Sequence, residues 1–127
     1  MKLLGIGVDI IENSRIKKMI KNKNFLQRVF SNYEILNSKK KKNKISFFAN
    51  RFAAKEAFSK SLGTGFRNNL NFKDIVIKND NSGKPFFYIT NKIKSIISKK
   101  FKTKNFNFFL SISDEKNYSI AFVIFQK

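Results

Sequence analysis

The sequence contains no cysteine and no histidine. The absence of cysteine excludes disulfide bonds and thiolate metal sites, and it suits the reducing environment of the cytoplasm, where we expect the protein. Without histidine, any general acid, general base or metal ligand must be Asp, Glu, Lys, Tyr or a backbone group. Carboxylates and lysines are therefore the first candidates for functional side chains.

Long apolar runs are also missing. No run approaches the roughly 18 residues that cross a membrane, so no membrane segment is expected. The N-terminal stretch MKLLGIGVDIIE is interrupted by Asp9 and Glu12 and has no small-residue cleavage site, so it is interpreted as mature structure and not as a signal peptide. The length of 127 residues, an apolar fraction of 42% and sixteen Phe fit one folded domain over residues 1–127.

Acidic residues are scarce, with 8 Asp and Glu against 27 Lys and Arg and a net charge of +19. Such a charge favours an acidic partner, either a protein or a nucleic acid. Only four basic residues are Arg, the residue that bidentate base and phosphate recognition prefers. A small basic nucleic-acid-binding protein remains an alternative, supported by SKKKKNK at 38–44 and by KFKTKNFNFF at 100–109, where aromatic residues alternate with lysines.

Local patterns predict a mixed α/β (α+β) chain in which a small, mostly antiparallel sheet packs with a long helix. The first half is expected to contain a strand over 2–10, a helix over 12–21, a short helix that begins at a Ser31-x-x-Glu34 capping box, a solvated loop over 38–44, and a long helix over 45–62 that ends at Gly63 and Gly65. The second half is expected to contain a hairpin of strands over 72–78 and 85–90, an amphipathic helix over 91–101, and a closing hairpin of strands over 105–113 and 118–125.

Two carboxylates are candidates for chemistry. Asp9 is expected at the end of the first strand, where α/β proteins often place ligands, with a helix N-cap as the alternative. Glu56 lies on the long helix among small and aromatic residues, with a surface pair to Lys60, worth about 0.3–0.5 kcal/mol, as the alternative. Together, two carboxylates without His or Cys favour Mg²⁺, and Lys60 would face the same phosphates. The turn over 63–65 would either admit a ligand close to the backbone or simply stop the helix.

Four motifs occur in order: GIGVDIIENSRI at 5–16, RFAAKEAFSKSLGTG at 51–65, GKP at 83–85 and LSIS at 110–113. In this order the chain resembles the holo-acyl-carrier-protein synthase family, the small bacterial 4′-phosphopantetheinyl transferases, over essentially its whole length. The first two motifs carry most of the resemblance, because GKP and SIS are short and GKP is also a common turn sequence.

The resemblance implies the 4′-phosphopantetheinyl transferase fold and an enzyme of fatty acid biosynthesis. Such enzymes move the phosphopantetheine arm of coenzyme A to a serine of an acyl carrier protein and release adenosine 3′,5′-bisphosphate. It implies that Asp9 and Glu56 bind Mg²⁺ and that Lys60 assists them as the third catalytic residue. The coenzyme A-binding residues that it implies are Arg51, Lys60, Gly63, Gly65, Lys84, Pro85 and Ser111.

The family resemblance also implies partners. The carrier protein is acidic, and the helix after the first motif is expected to dock it through Arg15, Lys18, Met19, Asn22 and Arg28. Family members are typically homotrimers whose active sites lie at subunit interfaces, so the same assembly is expected here.

One departure from the family pattern concerns the general base. Many relatives have histidine directly after the S-I-S segment and two residues before it, where this chain has Asp114 and Phe109. The base is then either a metal-linked water near Glu56 or Asp114 itself, and Asp114 would repel a phosphate placed close by. The departure also leaves open an inactive member of the same fold.

Overall fold

The computed structural model describes residues 1–67 and 69–127. Along the chain it contains β1 (Leu3–Glu12), α1 (Asn13–Met19), α2 (Lys23–Val29), α3 (Asn32–Ser38), α4 (Lys44–Leu62), a 3₁₀ turn (Phe72–Asp74), β2 (Val76–Asn79), β3 (Pro85–Tyr88), α5 (Asn91–Phe101), β4 (Asn107–Asp114) and β5 (Tyr118–Gln126). The strands form a three-stranded sheet in the order β1-β5-β4 and a two-stranded sheet of β2 and β3, both antiparallel. The predicted mixed class with antiparallel pairing is confirmed.

Local signals placed several element boundaries correctly. The side chain of Ser31 accepts from the backbone of Glu34, and the Glu34 carboxylate accepts from the backbone of Ser31, which completes the predicted capping box of α3. Helix α4 ends at Gly63, whose φ of 76° is the left-handed conformation that glycine adopts most easily. None of the helices in the described part of the chain is long and apolar enough to cross a bilayer.

Other local predictions were wrong. Strand β1 continues to Glu12, so Asp9 lies inside the strand, and the residue at the N-cap position of α1 is Glu12 and not Asp9. Helix α1 ends at Met19, and a separate helix α2, capped by Asn22, follows it. The predicted strand over 72–78 begins instead as the 3₁₀ turn, and only its last part pairs in a sheet.

Helix α4 packs against the inner face of β1 at two glycines. A Cβ atom added to Gly5 would lie 1.9 Å from the carbonyl oxygen of Ser61, and one added to Gly7 would lie 1.8 Å from that of Ala57. Because no side chain fits there, glycine permits this close backbone approach. Since side chains alternate along a strand, Asp9 shares the helix-facing side with these glycines.

The two faces of the three-stranded sheet differ in exposure. Its inner face joins α4 in the core, where Phe58 stacks on Phe108, and Phe108 stacks on Phe125. Its outer face is apolar but exposed over a set of residues that comes from all three strands: Ile6, Val8, Ile10, Phe109, Ile120 and Phe122. The register brings them together, because Val8 pairs with Phe122 and Ile10 with Ile120.

Candidate active site

The two predicted carboxylates and Lys60 come together where β1 crosses α4. The ammonium of Lys60 lies 3.2 Å from Oδ1 of Asp9 and donates to the carbonyl oxygen of Val8 at 3.0 Å. The Lys60 side chain is 53% exposed and that of Asp9 is 18% exposed, so this cluster is open to solvent on the lysine side. The glycine contacts of β1 with α4 hold Asp9 within reach of the helix.

Glu56 completes this cluster without a partner of its own. No ion pair or side-chain hydrogen bond of its carboxylate is present among the described residues, so the alternative of a Glu56–Lys60 surface pair is not found there. Partial burial raises the pKa of Glu56, and the nearby charge of Asp9 raises it further, while the charge of Lys60 opposes both effects. The two carboxylates therefore lie close enough to repel each other.

This donor set fits a hard divalent cation. The described residues contain no group of three or more His, Cys, Asp or Glu side chains that would enclose a metal. Mg²⁺, however, is commonly bound by one or two carboxylates, with waters and substrate phosphates as its other ligands. A cation between Asp9 and Glu56 would replace their mutual repulsion with attraction. The two residues thus fit the magnesium site that the family resemblance implies.

Arg51 belongs to a second polar cluster on α4. Its Nη1 donates to Oδ1 of Asn50 at 2.7 Å, and its Nη2 donates to Oδ1 of Asn79 at 2.6 Å. The guanidinium lies over the ring of Phe47, with Cζ 4.1 Å from the ring centroid. Burial lowers the pKa of Arg51, while the charges of Glu34 and Asp114 oppose this effect.

The GKP segment lies at the edge of this second cluster. The carbonyl oxygen of Gly83 accepts from Nδ2 of Asn79 at 2.8 Å, and Asn79 pairs with Pro85 across the hairpin. Lys84 is exposed, and its backbone N–H donates to the carboxylate of Asp80. The structure thus places Arg51 beside the predicted turn at 83–85, although the two are far apart in sequence.

The remaining predicted coenzyme A residues are spread over the chain. Gly63 and Gly65 follow Lys60 at the end of α4, and both have positive φ. Ser111 lies exposed on β4 opposite Phe122, on the outer face of the sheet and not on the face that carries Asp9. Within this single chain, Ser111 is therefore not brought to the carboxylate cluster.

The predicted docking residues occupy two settings. Met19 and Arg28 line an apolar groove of about 690 Å³ between α1, α2 and α4, together with Phe25, Val29, Phe52, Phe66, Leu70, Asn71, Phe72 and Lys73. Arg15 and Lys18 are exposed on α1. Asn22 instead caps α2, where its Oδ1 accepts from the backbone N–H groups of Asn24 and Phe25.

Sequence reasoning missed three polar residues on or near α4. Asn50 and Asn79 hold Arg51, and Lys55 forms a buried ion pair with Glu34. One signal was available for Asn50, because it is a polar residue directly after the apolar run over 47–49 and directly before Arg51. Asn79 and Lys55 carried no local signal, since their partners are distant in sequence.

The sequence is similar to those of known proteins over nearly its whole length. Residues 5–123 match the family described as the 4′-phosphopantetheinyl transferase superfamily. The holo-[acyl-carrier-protein] synthase of Pelagibacter ubique is 67% identical over 127 residues, which cover 100% of this chain and 99% of that protein. The synthase of the same name from Buchnera aphidicola subsp. Baizongia pistaciae is 44% identical over 130 residues, with 99% of each chain covered.

Solved structures of similar proteins share the fold. The holo-[acyl-carrier-protein] synthase of Neisseria meningitidis superposes with a TM-score of 0.88 at 34% identity and covers 98% of this chain and 99% of that one. The synthase of Bacillus anthracis, in complex with CoA (3′,5′-ADP), gives a TM-score of 0.82 at 35% identity and covers 100% of this chain and 99% of that one.

Proposed function

The chain belongs to the 4′-phosphopantetheinyl transferase superfamily, and we propose that it transfers the 4′-phosphopantetheine group of coenzyme A to a serine of an apo acyl carrier protein. The reaction depends on Mg²⁺, releases adenosine 3′,5′-bisphosphate and serves fatty acid biosynthesis in the cytoplasm. The similarity in sequence and fold to holo-[acyl-carrier-protein] synthases supports this activity.

The observation that carries the proposal is the open cluster of Asp9, Glu56 and Lys60. In the reaction, the serine oxygen forms a bond to the phosphorus that bears pantetheine, and the bond from that phosphorus to the bridging pyrophosphate oxygen breaks. The serine hydroxyl passes its proton to a water near Glu56, and negative charge develops on the leaving phosphate. Mg²⁺ bound by Asp9 and Glu56 would neutralise charge on the phosphate oxygens.

Lys60 is placed to stabilise the same charge. Its ammonium has three N–H donors, of which two are directed to Asp9 and Val8. The exposed side chain leaves the third donor available for a phosphate oxygen. No histidine is needed for this electrostatic part of the reaction, because an ammonium group and a divalent cation can neutralise the phosphate charge.

The carrier protein docks at the apolar groove that contains Met19 and Arg28. An apolar floor with basic residues at its rim suits an acidic helical partner that presents a few apolar side chains. Since long-range attraction mainly accelerates association, Arg28→Glu is expected to raise the KM for the carrier, with a larger effect at low salt than at high salt.

The outer face of the three-stranded sheet supports assembly into a homotrimer. Ile6, Val8 and Ile10 are each more than half exposed, and such a contiguous apolar face is typical of an interface. The position of Arg51 on α4 also favours shared active sites, because it lies about 140° around the helix from Glu56. One coenzyme A molecule would then be bound by Arg51 of one subunit and Glu56 of another. Phe122→Asp is expected to convert the trimer into monomers in analytical ultracentrifugation.

The proposal is tested by mass spectrometry of an apo acyl carrier protein incubated with this protein, coenzyme A and Mg²⁺. The carrier should gain the mass of one phosphopantetheinyl group, and a chelator should abolish the gain. A gain that survives the chelator would retain the transferase and refute the magnesium site.

An unchanged carrier, with a folded protein and several carriers tried, would contradict the transferase. Binding to random DNA then separates the remaining alternatives. Salt-sensitive binding without metal would indicate a nucleic-acid-binding protein, and no binding would indicate an inactive member of the fold.

A further inference from the structure

A continuous chain of hydrogen bonds holds Arg51 from both sides. It runs from Asp114 at the end of β4 to Asn50, then to Arg51, then to Asn79 at the end of β2, and ends at the Gly83 carbonyl. We infer that Asp114, through Asn50, is a positioning residue that holds the Arg51 guanidinium ready for a phosphate of coenzyme A. This inference rests on the proposed function.

The orientation of the Asn50 amide depends on Asp114. Nδ2 of Asn50 donates to Oδ2 of Asp114 at 3.0 Å, which leaves Oδ1 facing Nη1 of Arg51 at 2.7 Å. A carboxylate accepts hydrogen bonds and donates none, so the opposite amide orientation would place oxygen against oxygen. The reversed Asn50 amide would also direct its own N–H group at the N–H group of Arg51 Nη1. Asp114 therefore selects the one orientation that binds the guanidinium.

The Asn79 amide is fixed in the same way on the opposite side. Its Nδ2 donates to the Gly83 carbonyl at 2.8 Å, and its Oδ1 accepts from Nη2 of Arg51 at 2.6 Å. Both terminal nitrogens of the guanidinium are thus bound by amides that are themselves oriented by a second acceptor. Such support reduces the freedom that a side chain would lose on binding a ligand.

The held guanidinium still has capacity for a ligand. Arg51 is only 6% exposed, and each of its two terminal nitrogens donates one of its two N–H groups to an amide, which leaves a second N–H on each for a ligand. The adjoining cleft of about 270 Å³ is lined by Arg51, Lys41, Lys42, Asn43 and Ser46 among other residues. A buried arginine with unused donors beside two lysines is suited to a phosphate group, which accepts several charge-assisted hydrogen bonds.

This arrangement assigns Asp114 a role other than that of general base. Its Oδ2 accepts from Asn50, and that amide in turn accepts from the guanidinium of Arg51. Loss of the acceptor, and not loss of the charge, should then be the damaging change. Asp114→Asn keeps an acceptor oxygen, whereas Asp114→Ala removes it.

The test measures steady-state kinetics of carrier modification with the full-length protein, with coenzyme A as the varied substrate. Asp114→Ala and Asn50→Ala should each raise the KM for coenzyme A about three- to tenfold with little change in kcat, because each removes one supporting hydrogen bond. Asp114→Asn should restore most of the affinity. The double variant Asn50→Ala/Asp114→Ala should be no worse than either single variant, since the two residues act in series.

Glu115→Ala is the matched control, because it removes a carboxylate from the same hairpin turn and should leave the KM unchanged. Equal losses of kcat in Asp114→Ala and Asp114→Asn would overturn the inference and make Asp114 part of the chemistry. An unchanged KM in all variants, with an active wild-type enzyme, would overturn it as well. An inactive wild-type protein would instead be a failure of the proposed function.

Discussion

Two sets of acidic and lysine side chains lie on different sides of helix α4, and they have opposite surroundings. The closed set consists of Glu34 and Lys55, whose side chains are 0% exposed and 2.8 Å apart. The open set consists of Asp9, Glu56 and Lys60, in which the lysine is half exposed and Glu56 has no bonded partner among the described residues. Lys55 and Glu56 are adjacent in sequence, yet they belong to different sets.

Every charged atom of the closed set has a hydrogen-bond partner. Lys55 donates to Glu34 and to the carbonyl oxygens of Phe72 and Ile75. Glu34 accepts from the backbone N–H groups of Ser31 and Ile77. The pair therefore ties α3, α4 and the start of the two-stranded sheet together and has no capacity for a ligand.

The different surroundings of the two sets indicate different roles, a structural role for the closed set and a functional role for the open set. Burial of an ion pair is tolerated only where every donor and acceptor is satisfied, which describes the closed set. The open set has unfilled capacity and two carboxylates that repel each other, so a bound cation would stabilise it. We expect changes in the closed set to affect stability and changes in the open set to affect activity.

Lys55→Met should give the largest effect on stability. It leaves the Glu34 carboxylate buried without its counter-charge, which costs about 3–5 kcal/mol, a large share of the total stability of a domain of this size. Urea unfolding followed by circular dichroism measures the loss. The double variant Glu34→Gln/Lys55→Met removes both charges and should recover part of it. A loss below about 1 kcal/mol in the single variant would show that the closed set is not structural.

Gly7→Ala should give an intermediate effect on unfolding free energy. It should also displace Asp9 of the open set, because the backbone of β1 has to move. The new Cβ would lie 1.8 Å from the carbonyl oxygen of Ala57, so β1 must move away from α4 and carry Asp9 with it. We expect a loss of about 1–3 kcal/mol in unfolding free energy and a reduced transfer rate.

Gly63→Ala serves as the comparison for Gly7→Ala in unfolding experiments. Its Cβ would meet nothing within 4 Å, and only its positive φ opposes the change, at a cost of about 1 kcal/mol. Full stability and full activity of Gly7→Ala would contradict the claim that glycine contacts position Asp9.

Asp80→Asn should give the smallest effect on unfolding free energy. It tests whether hydrogen bonds stabilise the fold through a carboxylate that is not buried. Asp80 is fully exposed, but its carboxylate accepts from the hydroxyl and backbone of Ser82 and from the backbone of Lys84. These bonds, led by that from the Ser82 hydroxyl, lower the pKa of Asp80 below its ordinary value of 3.8.

A carboxylate with a lowered pKa stabilises the fold above its ordinary pKa, and this stabilisation is lost as the pH falls through the lowered value. Wild type should therefore exceed Asp80→Asn in unfolding free energy well above pH 3.8, and the difference should shrink at lower pH. A constant difference at all pH values would show that the charge of Asp80 contributes nothing.

Local sequence signals predicted the parts of the fold that depend on neighbouring residues. The Ser31–Glu34 capping box, the glycine stop at Gly63 and the amphipathic helix over 91–101 each rest on contacts within a few residues. Helix α2 was missed because its buried residues Phe25 and Val29 span only one turn, which is too short for a clear period.

The candidate site was predicted only in part. The residue types and local contexts of Asp9, Glu56 and Lys60 made them candidates for a phosphate-linked magnesium site. The family resemblance was needed to join them in one active site, because nothing local shows that β1 and α4 meet. The capping role of Glu34 was predicted, but its pairing with Lys55 was not, since it depends on how α3 packs on α4. The partners of Arg51 were missed for the same reason: Asn79 and Asp114 reach it only through the tertiary fold.

The most direct test of the division between the two sets is the rate of carrier modification by wild type, Glu56→Gln and Glu12→Gln, measured by mass spectrometry over a series of Mg²⁺ concentrations. Glu12→Gln makes the same chemical change at an exposed carboxylate of β1. The account predicts that Glu56→Gln loses at least about 100-fold in rate while its unfolding free energy stays within about 0.5 kcal/mol of wild type, and that Glu12→Gln keeps both. Equal rates and equal magnesium dependence in Glu56→Gln and Glu12→Gln would contradict it.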